Sequence, residues 1–331
     1  MSRIDFNVFL VVPTIRDLEF LKEWEGQFSK VNLVVVEDGP ETTVSVDESQ
    51  YKSVIHYCWR DIERDLGENQ WIISRKNAGV RNFGFWKAYE MGAEVIMTLD
   101  DDCFPVGQGW VEGHLANLEF RAARGWMTTY PDPMWMYTRG VPYAVRDKIP
   151  VMVSHGLWSG ALDLDAKREV LLSTLLDEQA YPPIRQVIPQ GYYYPMCSMN
   201  LAFRREVTPC MFFPMMGSDP EGKAWGYDRY DDIWAGILSK KVMDHLGWGV
   251  VNGSPLVEHR KRSEPGVNLG KERVGMQVNE DFWRWVEAVV LTETSVTGCY
   301  RELAVKVRFP RGGYFDKLRE AMVIWANLFD D

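Results

Sequence analysis

The stretch Glu94-Val95-Ile96-Met97-Thr98-Leu99-Asp100-Asp101-Asp102-Cys103-Phe104 decides the fold. Val95 to Leu99 are mostly apolar and β-prone, the signature of a strand buried on both faces. The run ends abruptly in three adjacent carboxylates. In open α/β sheets ligands bind beyond the carboxyl ends of the strands, which is where these acids fall. Three neighbouring carboxylates repel one another, and a hard cation shared between them relieves that repulsion. One reading is therefore a divalent-metal site that receives the diphosphate of a nucleotide sugar. The other is a solvated acidic turn that caps the next helix.

The residues around this strand read as alternating strands and helices. Phe6 to Pro13 and Asn32 to Glu37 are continuous apolar runs, read as central parallel strands. Val54 to Tyr57 and Trp71 to Ser74 read as two shorter strands. After Arg16-Asp17, Leu18, Leu21 and Trp24 share a helical face, and so do Phe85, Ala88 and Tyr89 further on. The first 120 or so residues thus predict a βαβ sheet, flanked by helices and mostly parallel. No GxGxxG or GxxxxGK[ST] occurs, which disfavours a dehydrogenase and a P-loop enzyme. Trp126 to about Gln190 has poor periodicity and many prolines and aromatics, a loop-rich stretch. Tyr192 to Phe203 reads as a second sheet segment and Tyr227 to Gly247 as a helix. Gly249 to Val251 and Leu256-Val257 read as short β pieces. Helices are expected after Asp281. The expected division is a nucleotide-sugar-binding domain over 1–275 and a helical C-terminal extension over 276–331.

Composition narrows the function. At 331 residues, with 46% hydrophobic and 25% charged residues, the chain has an ordinary globular balance. Its net charge of −10 argues against a nucleic-acid or membrane-surface binder. The five cysteines are scattered without CxxC spacing, which points to reduced, buried thiols rather than a disulfide framework or a zinc site. Met1 to Asp5 lead straight into a strand pattern, and no apolar run reaches membrane-spanning length. The expected location is cytoplasmic, or peripheral on the cytosolic side of a membrane.

Several runs, taken in order, resemble the reversibly glycosylated polypeptide family, the UDP-arabinopyranose mutases. They are Val12-Pro13-Thr14-Ile15-Arg16, Thr98 to Phe104, Ser154-His155-Gly156-Leu157-Trp158, Pro195 to Phe203, Arg229 to Gly236, Asp244-His245-Leu246-Gly247 and Val267-Asn268-Leu269. The resemblance spans nearly the whole chain. It implies a GT-A-like fold with a Rossmann-type half, a metal, and interconversion of the pyranose and furanose forms of UDP-arabinose. It also implies glycosylation of an arginine, which falls here on Arg146 in Val141-Pro142-Tyr143-Ala144-Val145-Arg146. His155, Trp158 and Asn200, within the matching runs, are candidates for holding the nucleotide sugar. A homo-oligomer is expected. A metal-dependent glycosyltransferase acting on a separate acceptor is the alternative activity.

Residue chemistry gives these roles content. Asp100 and Asp102 are the acids expected on the ribose and metal side, Asp102 the better ligand, with Asp101 between them. His259 is either a completing ligand or a hydrogen-bonded structural histidine. Mn²⁺ fits mixed oxygen and nitrogen ligands better than Mg²⁺. Arg75, Lys76 and Arg81 stand at a strand-to-helix junction, where cations suit a phosphate or uridine edge; ordinary surface charge is the other reading. Lys261, with Arg260 and Arg262, offers a second positive edge. Asp38 either contacts uracil or ribose or simply forms an Asp-Gly turn. Arg146, always protonated, either reaches the sugar with help from a carboxylate pair or clamps the leaving diphosphate. Asp163, Asp165, Asp231 and Asp232 can supply that pair, although Asp231 and Asp232 also suit a helix N-terminus.

Overall fold

The computed structural model describes residues 6–129, 137–161, 163–172, 184–260 and 264–330. Among the described residues ten strands form one sheet system: β1 (Val8–Thr14), β2 (Asn32–Glu37), β3 (Ser53–Tyr57), β4 (Val95–Leu99), β5 (Cys103–Pro105), β6 (Arg121–Ala122), β7 (Ile149–Gly160), β8 (Arg185–Ile188), β9 (Asn200–Arg204) and β10 (Gly249–His259). The main path runs β3-β2-β1-β4-β9-β7-β10-β5, with β6 on β7 and β8 on β10. Strands β3, β2, β1 and β4 are mutually parallel. Beyond them β9 enters antiparallel to both β4 and β7, so the sheet is mixed rather than parallel throughout. The α/β class and the helical C-terminal region are as the strand and helix patterns predicted.

Continuous apolar strands follow from burial on both faces. Every residue of β1, β2 and β4 is buried. Alternate side chains serve opposite layers. Phe9, Val11, Val34 and Val36 join one core, and Val8, Leu10, Leu33 and Val35 join the other. The first core is roofed by helices α2 (Arg81–Glu90) and α5 (Asp231–Leu246). The second is covered by a 3₁₀ turn, Glu19–Trp24, and by α3 (Trp110–Glu119), whereas α1 (Trp59–Leu66), beside β3, packs Ile62 and Leu66 into the first core. A short helix, α4 (Ala166–Leu172), follows β7.

Three helices close the chain: α6 (Pro265–Glu287), α7 (Val296–Lys306) and α8 (Gly313–Asn327). They share the first core rather than forming their own. Trp234 of α5 stacks on Phe282 of α6, centroids 4.5 Å apart, and Phe212 meets Trp325 of α8 at 5.4 Å. The division expected at 275/276 falls inside α6.

Some local expectations give way to tertiary packing. Trp71 to Ser74 is not a strand; Gly67–Ile72 forms a 3₁₀ turn that packs Trp71 near Trp225. The helix expected after Asp17 is the shorter 3₁₀ turn. In the Tyr192 to Phe203 segment the strand, β9, begins only at Asn200. The two β pieces near Gly249 and Leu256 are one strand, β10, whose register on β7 shifts between Gly253 and Val257. All five cysteines are free and buried. Among the described residues no helix is long and apolar enough to cross a membrane.

Candidate functional site

A cleft of about 670 Å³ opens where β1, β2, β4, β7 and β10 end. The three aspartates form a tight turn there, closed by the Cys103 N–H donating to the Asp100 carbonyl (3.2 Å). The next element is strand β5, not a helix, so the acids cap nothing. Each carboxylate is held differently. Asp100 takes the guanidinium of Arg81 at 2.5 Å. Asp101 accepts from the Thr14 hydroxyl (3.1 Å) and lies 3.3 Å from Arg16 Nε. Asp102 faces His259, Oδ1 to Nε2 3.9 Å.

The tautomer of His259 defines this last pair. Its Nδ1 lies 2.9 Å from the Ala161 carbonyl, which only accepts, so Nδ1 carries the hydrogen. Nε2 then presents a lone pair to a carboxylate oxygen, and two acceptors facing each other call for a proton or a cation between them. A histidine anchored through its second nitrogen to a carbonyl is the usual arrangement of a metal ligand. Burial, then the charge of Asp100, pushes Asp102 up to about 6. Among the described residues no group of three His, Cys, Asp or Glu side chains converges, so the protein offers two donors here. The donor set fits a divalent cation that a diphosphate would also bind.

Arg81 is not a free phosphate-binding cation. It is fully buried. Besides Asp100, it donates to Thr98 Oγ1 (3.0 Å) and to the carbonyls of Ser198 (2.9 Å) and Ala78 (2.9 Å). Its role is to aim Asp100. Arg75 turns away as well, to Glu63 (2.8 Å) and Gln70 (2.6 Å), over the Trp59 ring. Lys76 alone of the three lines the cleft as an exposed cation, on a left-handed backbone (φ 56°). Asp38 lines the same end. Its oxygens accept from the Trp59 indole (2.7 Å) and the Asn77 N–H (2.9 Å), and burial raises its pKa despite those bonds.

On the other side of the aspartates stand Asp163, Asp165, Asp231 and Asp232, with Trp158 at the end of β7. Asp231 and Asp232 open α5. Asp232 accepts from the Ser198 N–H (3.1 Å) just ahead of β9. Asp231 is 5% exposed, and its Oδ2 has no hydrogen-bond partner. Burial pushes Asp231 up to about 6; burial, then Asp231 and Asp163, push Asp232 well above the carboxylate range. Glu272, unnoticed in the sequence, ties this wall together: it accepts from Arg229 Nε (2.9 Å) and from the Ala166 N–H (2.9 Å) at the start of α4. Arg229 itself is held at φ 61°.

Three expected site residues lie elsewhere. His155 is 2% exposed; it bonds Asn252 (2.7 Å) and accepts the Cys197 N–H (3.0 Å), so it positions the segment before β9. Asn200, fully buried, donates to the Leu157 and Pro255 carbonyls and accepts from Trp110 and His114; it pins strands together. Arg146 precedes the start of β7, whereas the cleft lies at that strand's far end; nine steps from Ile149 to Trp158 span ~30 Å. Its guanidinium caps the Val141 carbonyl (2.8 Å) and lies over Tyr143. Arg146 is therefore outside this cleft. Lys261 lies outside the described residues.

Fold and cleft together define an α/β protein with a carboxylate-rich cleft at the carboxyl ends of its strands. The model of the family described as "Reversibly glycosylated polypeptide" matches residues 4–331, and the chain belongs to that family. It is 38% identical to UDP-arabinopyranose mutase 1 of Arabidopsis thaliana, over 97% of this chain and 92% of that one. It is 37% identical to probable UDP-arabinopyranose mutase 1 of Pisum sativum, over 97% and 90%. Solved structures with a distant likeness include glucosyl-3-phosphoglycerate synthase of Mycobacterium tuberculosis, in complex with Mn²⁺ and UDP-glucose. That likeness has a TM-score of 0.41 at 13% identity, covering 83% of this chain and 78% of that one.

Proposed function

We propose that this chain is a UDP-sugar mutase interconverting pyranose and furanose forms, with UDP-arabinopyranose and UDP-arabinofuranose as the pair. The observation that carries this is its 38% identity, over 97% of its length, with a protein named for that activity. The cleft supplies groups suited to the task. Asp38 and Lys76 stand at the uridine end. Asp102 and His259 are the residues that would hold Mn²⁺ or Mg²⁺ beside the diphosphate. When bound, the ion would neutralise charge on the departing diphosphate.

The anomeric bond to the diphosphate must break and later re-form; between those events the entering hydroxyl oxygen bonds to the anomeric carbon, the old ring oxygen leaves it, and a proton passes from the first oxygen to the second. Asp231 and Asp232 are raised together, so one carboxyl of the pair keeps a proton while its neighbour can accept one. That pair can take the proton from one sugar oxygen and return it to the other. Nothing in this reading passes through Arg146.

The test is incubation with UDP-arabinopyranose and Mn²⁺, with products resolved by chromatography. Furanose is expected without any added acceptor, and Asp102→Ala is expected to lower turnover at least ~100-fold, about 2.7 kcal/mol in the barrier. UDP release only on addition of an acceptor would make the chain a transferase instead. Manganese-dependent turnover that survives in the Asp102→Ala chain would overturn the reading.

A further inference from the structure

We infer that the cleft accepts nucleotide sugars whose sugar is uncharged and rejects those whose sugar carries a carboxylate, the uronates. The inference rests on the proposed function, in which the diphosphate lies beside Asp102 and His259. Strand order then places the sugar. Asp38 stands past β2 and the aspartate turn past β4; β9, led in by Ser198, is the next strand across. A sugar extending past the aspartate turn, away from Asp38, meets Asp231 and Asp232 on α5, and Asp163 and Asp165 ahead of α4.

Among the described residues lining this end, each cation lies against a carboxylate of its own. Arg81 serves Asp100, Arg229 serves Glu272, and Lys271 lies 3.6 Å from Asp228. Among the described residues none is ion-paired with Asp163, Asp165, Asp231 or Asp232. The partial positive charge of the α5 N-terminus is met by that helix's own two aspartates. The second, independent observation is Asp231 Oδ2: it belongs to a residue 95% buried, lines the cleft and has no donor. A buried acceptor without a donor is a place for a hydroxyl. A sugar alcohol satisfies it, whereas a sugar carboxylate brings a like charge into a partly desolvated site.

The experiment is calorimetric titration of the full chain, with Mn²⁺ present, by UDP, UDP-glucose and UDP-glucuronate. The two sugars differ only in a CH₂OH against a carboxylate. UDP-glucuronate is expected to bind at least ~5-fold more weakly than UDP-glucose, about 1 kcal/mol. A smaller ratio, or failure of UDP-glucose to bind while UDP binds, overturns the inference and leaves the functional reading standing. If UDP itself fails to bind, the functional reading fails and the inference falls with it. In the Asp231→Asn, Asp232→Asn double variant, provided it binds UDP as the native chain does, the uronate penalty should shrink below ~2-fold. An unchanged penalty there would refute the role given to this pair, and the native-chain titration decides the inference even if the variant does not fold.

Discussion

His114 gives the sharpest test of how the second core is built. It is fully buried beneath β7 and β9. Asn200 donates both amide hydrogens to carbonyls, so its Oδ1 is an acceptor facing His114 Nε2 at 2.9 Å, and Nε2 carries the hydrogen. Nδ1 must then accept from the Ser154 hydroxyl (2.7 Å), which itself accepts from Asn117 (2.8 Å). The imidazole is held neutral, and burial drives its pKa down to about 3. The unfolded chain, with a histidine near its ordinary value of about 6.5, binds the proton that the native state refuses. Between those values acid favours unfolding, and stability is lost as pH falls below about 6.5. The loss is about 2 kcal/mol at pH 5 and about 3 kcal/mol at pH 4. Asp38, Asp102, Asp231 and Asp232, all raised, act in the opposite sense, because the native state binds their protons more tightly. Comparing the native chain with His114→Gln cancels those contributions, since glutamine can still donate to Asn200 and accept from Ser154. Urea unfolding at pH 7.5 and pH 5, followed by tryptophan fluorescence, is the assay. The stability advantage of the native chain should shrink by about 2 kcal/mol between the two pH values. An advantage that stays constant within about 0.5 kcal/mol would refute a neutral, wired-in His114.

Two further outcomes rest on single residues. Arg81→Met should cost about 3 kcal/mol in urea unfolding, because it strands the Asp100 carboxylate and the buried Ser198 carbonyl; a loss under about 1 kcal/mol would mean that Asp100 is aimed by something else. Glu272→Gln turns one accepting oxygen toward a donor it cannot satisfy, at Arg229 or at the Ala166 N–H; KM for UDP-arabinopyranose should rise about tenfold with kcat within about threefold, read from initial rates over a substrate series.

Legibility in the sequence divides along physical lines. The parallel half was legible because strands buried on both faces write continuous apolar runs, and β1, β2 and β4 do so. The aspartate turn was legible because charge placed directly after such a run has one direction to face. Arg81 was misread for a related reason. A cation at a strand-to-helix junction looks the same in sequence whether it meets a ligand's phosphate or a carboxylate of its own chain, and Asp100 had already been counted as a ligand. Asn200 and His155 carry side chains that suit a site, yet they spend every hydrogen bond on backbone and neighbours. Sequence records the donor types but not their commitments. Glu272 was invisible because one acid among the polar residues of a long helix carries no pattern, and its importance arises only when α6 is laid against Arg229 and α4. Arg146 shows the limit most clearly: the residues around it match a motif, but the distance along β7 between motif and cleft is set by β7 running on to the far edge of the sheet. Spacing in sequence counts residues, whereas a strand converts each residue into ~3.3 Å of separation. For that reason the carboxylates of the cleft, which arrive from several different elements at the carboxyl ends of the strands, define the chemistry better than the continuous segment that first drew attention to an arginine.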